Sequence, residues 1–230
     1  MAVNESIDTL LRRLTRRGLN TATTRLYAEG IKAKLQATRF AFENIRGLEH
    51  VEERAQIQDD TTTLTKQSLL SEEDKVNFYC ECVWDFLRSS LDILAQLVNE
   101  LRLLNLNERH VDFKQVANKL KSSSQGTPLE KAVNNCRRSD AFRNLEEYRH
   151  CSIHRRRVFI ETRTHTTSTT GTRDYYNYAG SSITTVERHL CKNPWDLQPI
   201  VDGKRPVVGY CEYLLQAIER RIRTTIDRLP

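Results

Sequence analysis

Nothing in these 230 residues approaches the run of roughly 18 to 20 apolar residues needed to span a bilayer, so no membrane-spanning helix is expected. A secretory signal is missing too. The opening "MAVNESIDTLLRRLTRRGLN" has only short apolar stretches, broken by arginine pairs, and Glu5 and Asp8 are acidic where a transit peptide usually is not. These absences predict a cytoplasmic protein with no membrane partner. Paired CxxC elements are also lacking. The cysteines at 80, 82, 136, 151, 191 and 211 are scattered. Cys80 and Cys82 enclose one residue where zinc knuckles enclose two. Without a secretory signal, the six read as buried or free thiols rather than a disulfide framework. No repeat of fixed period is present.

Hydrophobic residues make up 38% of the chain and charged residues 29%, a globular composition. The length allows one large domain or two small ones, with a sizeable core. The formal net charge is +6, which permits nucleic-acid binding without establishing it. Much of the excess is local, in Arg12, Arg13, Arg16 and Arg17 and again in Arg155, Arg156 and Arg157. Taken singly, each cluster reads as a solvated face.

Residues 1–23 read as a basic N-terminal segment. From about 24 to 58, apolar residues at Ile31, Leu35, Phe42, Ile45, Leu48 and Val51 keep helical spacing. "DDTTTLTKQ" then reads as a connection, and Ser71 with Asp74 as a capping box. The helix it opens carries Val76, Cys80, Val83, Phe86, Leu87, Leu94, Leu97, Leu101 and Leu104 in one stripe, which needs partner helices to cover it. "HVDFKQVANKLKSS" predicts a shorter helix with Phe113, Val116 and Leu120 inward. Thr127, Pro128 and Glu130 supply the N-cap, first-turn proline and box glutamate of the next. That segment, re-started at Ser139, presents Phe142, Leu145 and Tyr148 on one face. Beyond Arg157, threonine, tyrosine and β-branched residues with breaks at Gly171 and Gly180 predict a β-ribbon over about 157–188. "KNPWDLQP" reads as a loop, and the chain closes on a helix with Cys211, Leu214, Leu215, Ile218, Ile222, Ile226 and Leu229 inward. The expected architecture is mainly α: an up-and-down bundle of four or five main helices, with a small β-hairpin inserted before the last helix. Residues 24–230 are read as a single domain.

The chemistry is concentrated in "EEYRHCSIHRRR", residues 146–157. His150 and His154 are four apart and share a helix face, while Arg149 lies roughly 140° from His154 on the wheel, within reach of a long side chain. Imidazoles suit proton transfer near neutral pH, and a guanidinium binds phosphate through paired charge-assisted bonds. Those parts serve cleavage of RNA by its own 2′-hydroxyl, with no metal. Two other readings fit the residues as well. One is a basic helix end with merely exposed histidines. The other is an HxxxH metal pair with Cys151 nearby, although no HExxH glutamate follows the first histidine and a third ligand would come from elsewhere.

Arg149-His150-Cys151-Ser152-Ile153-His154 resembles the R-x4–6-H motif of the HEPN superfamily, whose members often carry a polar residue directly after the arginine, where His150 stands. The helical layout, with the motif near the end of a late helix and one helix after it, is similar as well. The resemblance covers roughly residues 24–230. It implies a metal-independent endoribonuclease of toxin–antitoxin, antiviral or RNA-processing systems, with no cofactor and RNA as partner. It also implies a homodimer in which two motifs line one cleft, and a possible antitoxin. By position, Arg149 and His154 would be the catalytic pair, His150 the supporting polar residue, and Arg155, Arg156 and Arg157 nucleic-acid contacts. One departure is Arg156. Relatives controlled by a nucleotidyltransferase often have a tyrosine there as the modified group, so that mode of control is not expected. Some superfamily members are non-catalytic, and an RNA- or protein-binding module is the alternative.

Elsewhere, Trp84 and Trp195 read as core or loop anchors, and His165 and His189 as structural or exposed. Tyr175, Tyr176 and Tyr178 with Arg173 read as cross-strand aromatics before a base-stacking platform. Glu81 and Asp85 are candidates to orient a motif histidine, but periodicity does not decide whether they face it.

Overall fold

Val3, Ile7, Leu10 and Leu14 recur at helical spacing and are all buried, forming α1 (Val3–Arg16) with Arg12 and Arg16 exposed and Arg13 half-buried. The segment read only as basic is therefore an amphipathic helix packed into the core. A Schellman motif ends it: Leu19 N–H donates to the Leu14 carbonyl (2.8 Å) and Gly18 N–H to that of Thr15 (3.1 Å), with Gly18 at φ +68°. The computed structural model describes the backbone of residues 3–48, 52–54, 72–107, 111–154, 159–168, 182–193, 196–199 and 206–230, and the side chains of 3–48, 74–107, 111–148 and 206–230.

Thr21 accepts the Thr24 N–H (3.1 Å) to open α2 (Ala22–Leu48), which packs along α3 (Glu72–Arg102). At 1.5 Å per residue these helices are roughly 40 and 46 Å long. Gly30 lies against Ile93, and the Lys34 ammonium over the Phe86 ring (5.0 Å), so the two run antiparallel. The sequence periodicity extends the first of them to about residue 58. Instead α2 stops at Leu48, and Glu52–Arg54 form a short strand, β1, whose backbone groups take partners in a sheet. At the far end of α3, Leu103 (φ 49°) and Asn105 (φ 55°) turn the chain. The buried Asn99 amide holds that turn, donating to the Leu106 carbonyl (3.2 Å) and accepting its N–H (3.1 Å). Leu104 stays buried although the helix has ended.

Three shorter helices follow. Asp112 caps α4 (Phe113–Ser123), whose Phe113, Val116 and Leu120 point inward as expected. Thr127 caps α5 (Pro128–Arg137), with Pro128 in the first turn; the Glu130 carboxylate accepts the N–H of Gly126, one residue before the cap, rather than that of Thr127. Ser139 Oγ accepts the Phe142 N–H (3.3 Å) and restarts the chain as α6 (Asp140–His154). The last helix, α7 (Val207–Ile226), buries Cys211, Leu214, Leu215, Ile218, Ile222 and Ile226. The described residues thus hold seven helices rather than four or five, because α1 is a helix and because Ser139 divides α5 from α6.

The remaining described backbone is a sheet. Strand β3 (Ser182–Asn193) runs antiparallel to β2 (Phe159–Ser168), from Phe159↔Cys191 to Ser168↔Ser182. On its other edge β3 pairs with β1 and with β4 (Asp196–Pro199). The segment read as a loop therefore contains a strand, since Pro199 and Asp196 pair with Cys191 and Asn193. The proposed cap at Ser71, Trp195, and the tyrosine cluster at 175–178 with Arg173 lie outside the described residues.

The protein is mainly helical, and one hydrophobic cluster joins all seven helices. Trp84 is its largest fully buried side chain. It stacks on Tyr148 of α6 (centroids 4.4 Å, 27°) and meets Tyr210 of α7 (5.6 Å), so the tryptophan on α3 is a core residue, as expected. Among the described residues no helix is long and apolar enough to cross a membrane.

Candidate functional site

The R-x4-H motif occupies the last turn and a half of α6, and its phase is set by what precedes it. Ala141, Phe142, Leu145 and Tyr148 form the buried stripe of this helix. At 100° per residue, positions 150 and 154 fall more than roughly 140° from the middle of that stripe. Position 149 falls roughly 50° away, at the stripe's edge. The backbone is helical through His154, so the two histidine positions share the side of α6 opposite its core contact. The side chains of Arg149, His150 and His154 lie outside the described residues, as do Arg155, Arg156 and Arg157 entirely.

What can be placed is the support beneath them. Tyr148, immediately before the motif, is buried against Trp84, and burial is the main reason its hydroxyl pKa is raised; the Cys80 thiol and the Glu81 and Asp85 carboxylates add to the shift. The same two carboxylates, after burial, raise the Cys82 thiol. Glu81 and Asp85 are one turn apart and exposed on α3, so an acidic pair stands near Tyr148, the residue just before the motif. Periodicity alone did not reveal that proximity. Cys80, Cys82, Cys136 and Cys211 form no disulfide among the described residues, and burial pushes Cys136 up to about 12.

A second support was not foreseen. Arg88, on α3, is only 6% exposed, and its guanidinium reaches Glu146 of α6 (3.0 Å) and Asp92 one turn along (3.1 Å). It also lies over the Phe142 ring (5.4 Å), while Lys114 of α4 closes on the other Glu146 oxygen. The Nη1–Glu146 contact is short but poorly aligned as a hydrogen bond, so we treat it as an ion pair held by charge. The network ties α3, α4 and α6 together just before the motif. The sequence did carry a signal for it, an arginine directly following Leu87 of the apolar stripe, with Asp92 four residues on.

A HEPN family model described as Cthe2314-like matches residues 23–198, more than half of the chain. The chain belongs to the HEPN superfamily. No curated protein and no solved structure matches it. The match takes in α2 through β4, including all of α6 and its motif.

Proposed function

We propose that this HEPN protein is a metal-independent endoribonuclease that cleaves RNA through the internal 2′-hydroxyl. The observation that carries the reading is an R-x4-H sequence on the last turns of a helix whose earlier turns are locked into the core, in a chain of this superfamily. In this mechanism an imidazole at 154 takes or returns a proton while the 2′-oxygen bonds to phosphorus and the 5′-oxygen leaves. The Arg149 guanidinium offsets the charge growing on the phosphoryl oxygens, and His150 positions the reacting groups. Arg155, Arg156 and Arg157 hold neighbouring phosphates, and the β-ribbon elaborates the helical domain beside them. Because the histidine positions are turned away from the protein's own core, a second copy can complete the cleft. We therefore read the working form as a homodimer, acting in the cytoplasm in a toxin–antitoxin or defence setting.

The deciding test is a gel of labelled RNA with purified protein in EDTA. Wild type is expected to cut single-stranded or loop RNA, leaving 2′,3′-cyclic phosphate ends, and to spare all-deoxy substrate. His154→Ala abolishes cleavage, Arg149→Ala nearly does, and His150→Ala weakens it less. Equal cleavage by wild type and His154→Ala would refute the assignment. Binding without cleavage across varied RNAs would favour the second reading, a non-catalytic HEPN module in which +6 net charge grips phosphates or a protein partner.

A further inference from the structure

The arginines of α1 have no role in that reading, yet the fold gives them a setting that a merely solvated face lacks. Arg12 and Arg16 of α1 and Arg25 of α2 line a groove of about 460 Å³ between the two helices, and Arg17 follows at the turn. All four are exposed. Some arginines elsewhere on the described surface sit on carboxylates: Arg39 on Glu219 (2.6 Å), Arg46 on Glu43, Arg143 on Asp140. None of these four does. Arg12 leans on its own helix, donating to the Asp8 carbonyl and Thr9 hydroxyl, and among the described residues Arg16, Arg17 and Arg25 have no ion-pair partner. Glu29, the carboxylate lining the groove, pairs instead with Lys32, which also engages Asp8. The carboxylate at the groove is thus engaged by a lysine, while the groove's arginines have no carboxylate partner among the described residues.

The groove also has apolar edges. Leu11 lines it, and Leu19 (42% exposed) and Leu26 (69% exposed) lie close in sequence to Arg17 and Arg25, so a base can rest on apolar surface while its phosphates meet guanidinium groups. A lipid surface fits less well, because α1 has spent its apolar face on the core: Ile7, Leu10 and Leu14 are fully buried and unavailable for insertion.

Position matters as well. Arg13 donates to the carbonyl of Ile226 at the end of α7, whereas Tyr210 near the start of α7 packs with Trp84, which stacks on Tyr148 just before the motif. Groove and motif therefore lie towards opposite ends of α7, which rises about 24 Å between Tyr210 and Ile226. That span corresponds to about 7 nucleotides of stacked strand.

We infer that the α1–α2 groove is a second nucleic-acid contact, gripping the phosphate backbone of an RNA long enough to reach it from the motif. The inference takes its ligand class from the reading above but not its catalysis, and the test separates them. The probes are 2′-O-methyl oligouridylates of 6 and 30 nucleotides, which keep the phosphates and lack the attacking hydroxyl. Binding is measured by fluorescence anisotropy in EDTA across a salt series, with wild type and an Arg16→Gln/Arg17→Gln/Arg25→Gln variant. For the 30-mer, the variant is expected to bind at least about 10-fold more weakly. Its slope of log K against log salt should fall by about 2, three phosphate contacts at about 0.7 each. The 6-mer should be little affected. Circular dichroism checks that the exposed substitutions leave the fold intact. Equal slopes for both proteins on the 30-mer overturn the inference, as does wild type failing to bind it, or a loss seen only on anionic vesicles. Absence of RNA cleavage, with the slope change intact, would count against the nuclease and leave the groove standing.

Discussion

Removing Glu146 and removing Arg88 break the same contact, yet the structure predicts very different costs. Arg88 is 6% exposed and Glu146 has 23% of its side chain exposed, with Asp92 at 32% and Lys114 at 47%. The cluster balances two cations against two carboxylates. Glu146→Ala leaves Arg88, the most buried member, with only Asp92, and leaves Lys114 without its carboxylate. Stranding a buried charge costs about 3 to 5 kcal/mol when nothing compensates. Asp92 and partial exposure reduce that here, to about 2 to 3 kcal/mol. Arg88→Met instead removes the buried charge itself and keeps an unbranched apolar chain against Phe142. The carboxylates left behind keep water and, for Glu146, Lys114, so the cost should stay within about 1 kcal/mol, chiefly the lost cation–π contact.

Urea unfolding followed by tryptophan fluorescence in a Trp195→Phe background, which leaves Trp84 buried against Tyr148 as the reporter, measures both. With a slope of about 2 kcal/mol per molar, Glu146→Ala should lower the midpoint by about 1 M or more and Arg88→Met by less than half of that. An Arg88→Met/Glu146→Leu double variant should recover most of the loss. The opposite order, or a Glu146→Ala midpoint equal to wild type, would refute the view that charge across α3, α4 and α6 holds this helix.

Gly18 and Cys136 give two further expected outcomes. Gly18 sits at φ +68° with nothing near its missing Cβ, so Gly18→Ala should cost about 1 kcal/mol through backbone strain alone and lower the melting temperature by about 2 to 4 °C in a calorimetric scan; no change would mean the Schellman turn is not needed. Burial raises Cys136 from 9.0 to about 12, so above pH 9 the unfolded chain loses this proton while the native one keeps it. Its contribution to stability is therefore fully present below pH 9 and is lost towards pH 12, at about 1.4 kcal/mol per pH unit. The fall in urea midpoint from pH 8 to 10.5 should be shallower in Cys136→Ala, and parallel pH profiles would contradict the shift.

The long stripes were legible because helical burial repeats at 3.6 residues. Phe113, Val116 and Leu120 and the α7 series lie inward as their spacing implies, and Trp84, read as a core or loop anchor, is buried. Periodicity failed where another interaction ended or redirected the pattern. Val51 continues the α2 spacing, but residues 52–54 pair with β3. Leu104 continues the α3 stripe beyond the helix, because Asn99 clamps the turn that carries it inward. α1 was hidden by its charge: the arginine pairs that mark it as basic also fill the solvent side of an amphipathic helix. The motif was legible as a string, and its helix as a helix. The Arg88–Glu146–Lys114 tie was not, since it joins residues from three helices whose packing no local pattern specifies.

That tie and the Trp84 stack bear on the motif more directly than any neighbour in sequence. A helix transmits its phase rigidly, so fixing Phe142, Leu145 and Tyr148 on one side fixes positions 150 and 154 on the other. Tyr148 is the last of these anchors and stands one residue before Arg149. A helix of fifteen residues gains little from propensity alone. What holds α6 is its apolar stripe, the Ser139 cap and the Arg88 cluster, all of which act at or before Tyr148. The backbone of the motif turn then continues from an anchored base, so its phase is set by the packing that precedes it.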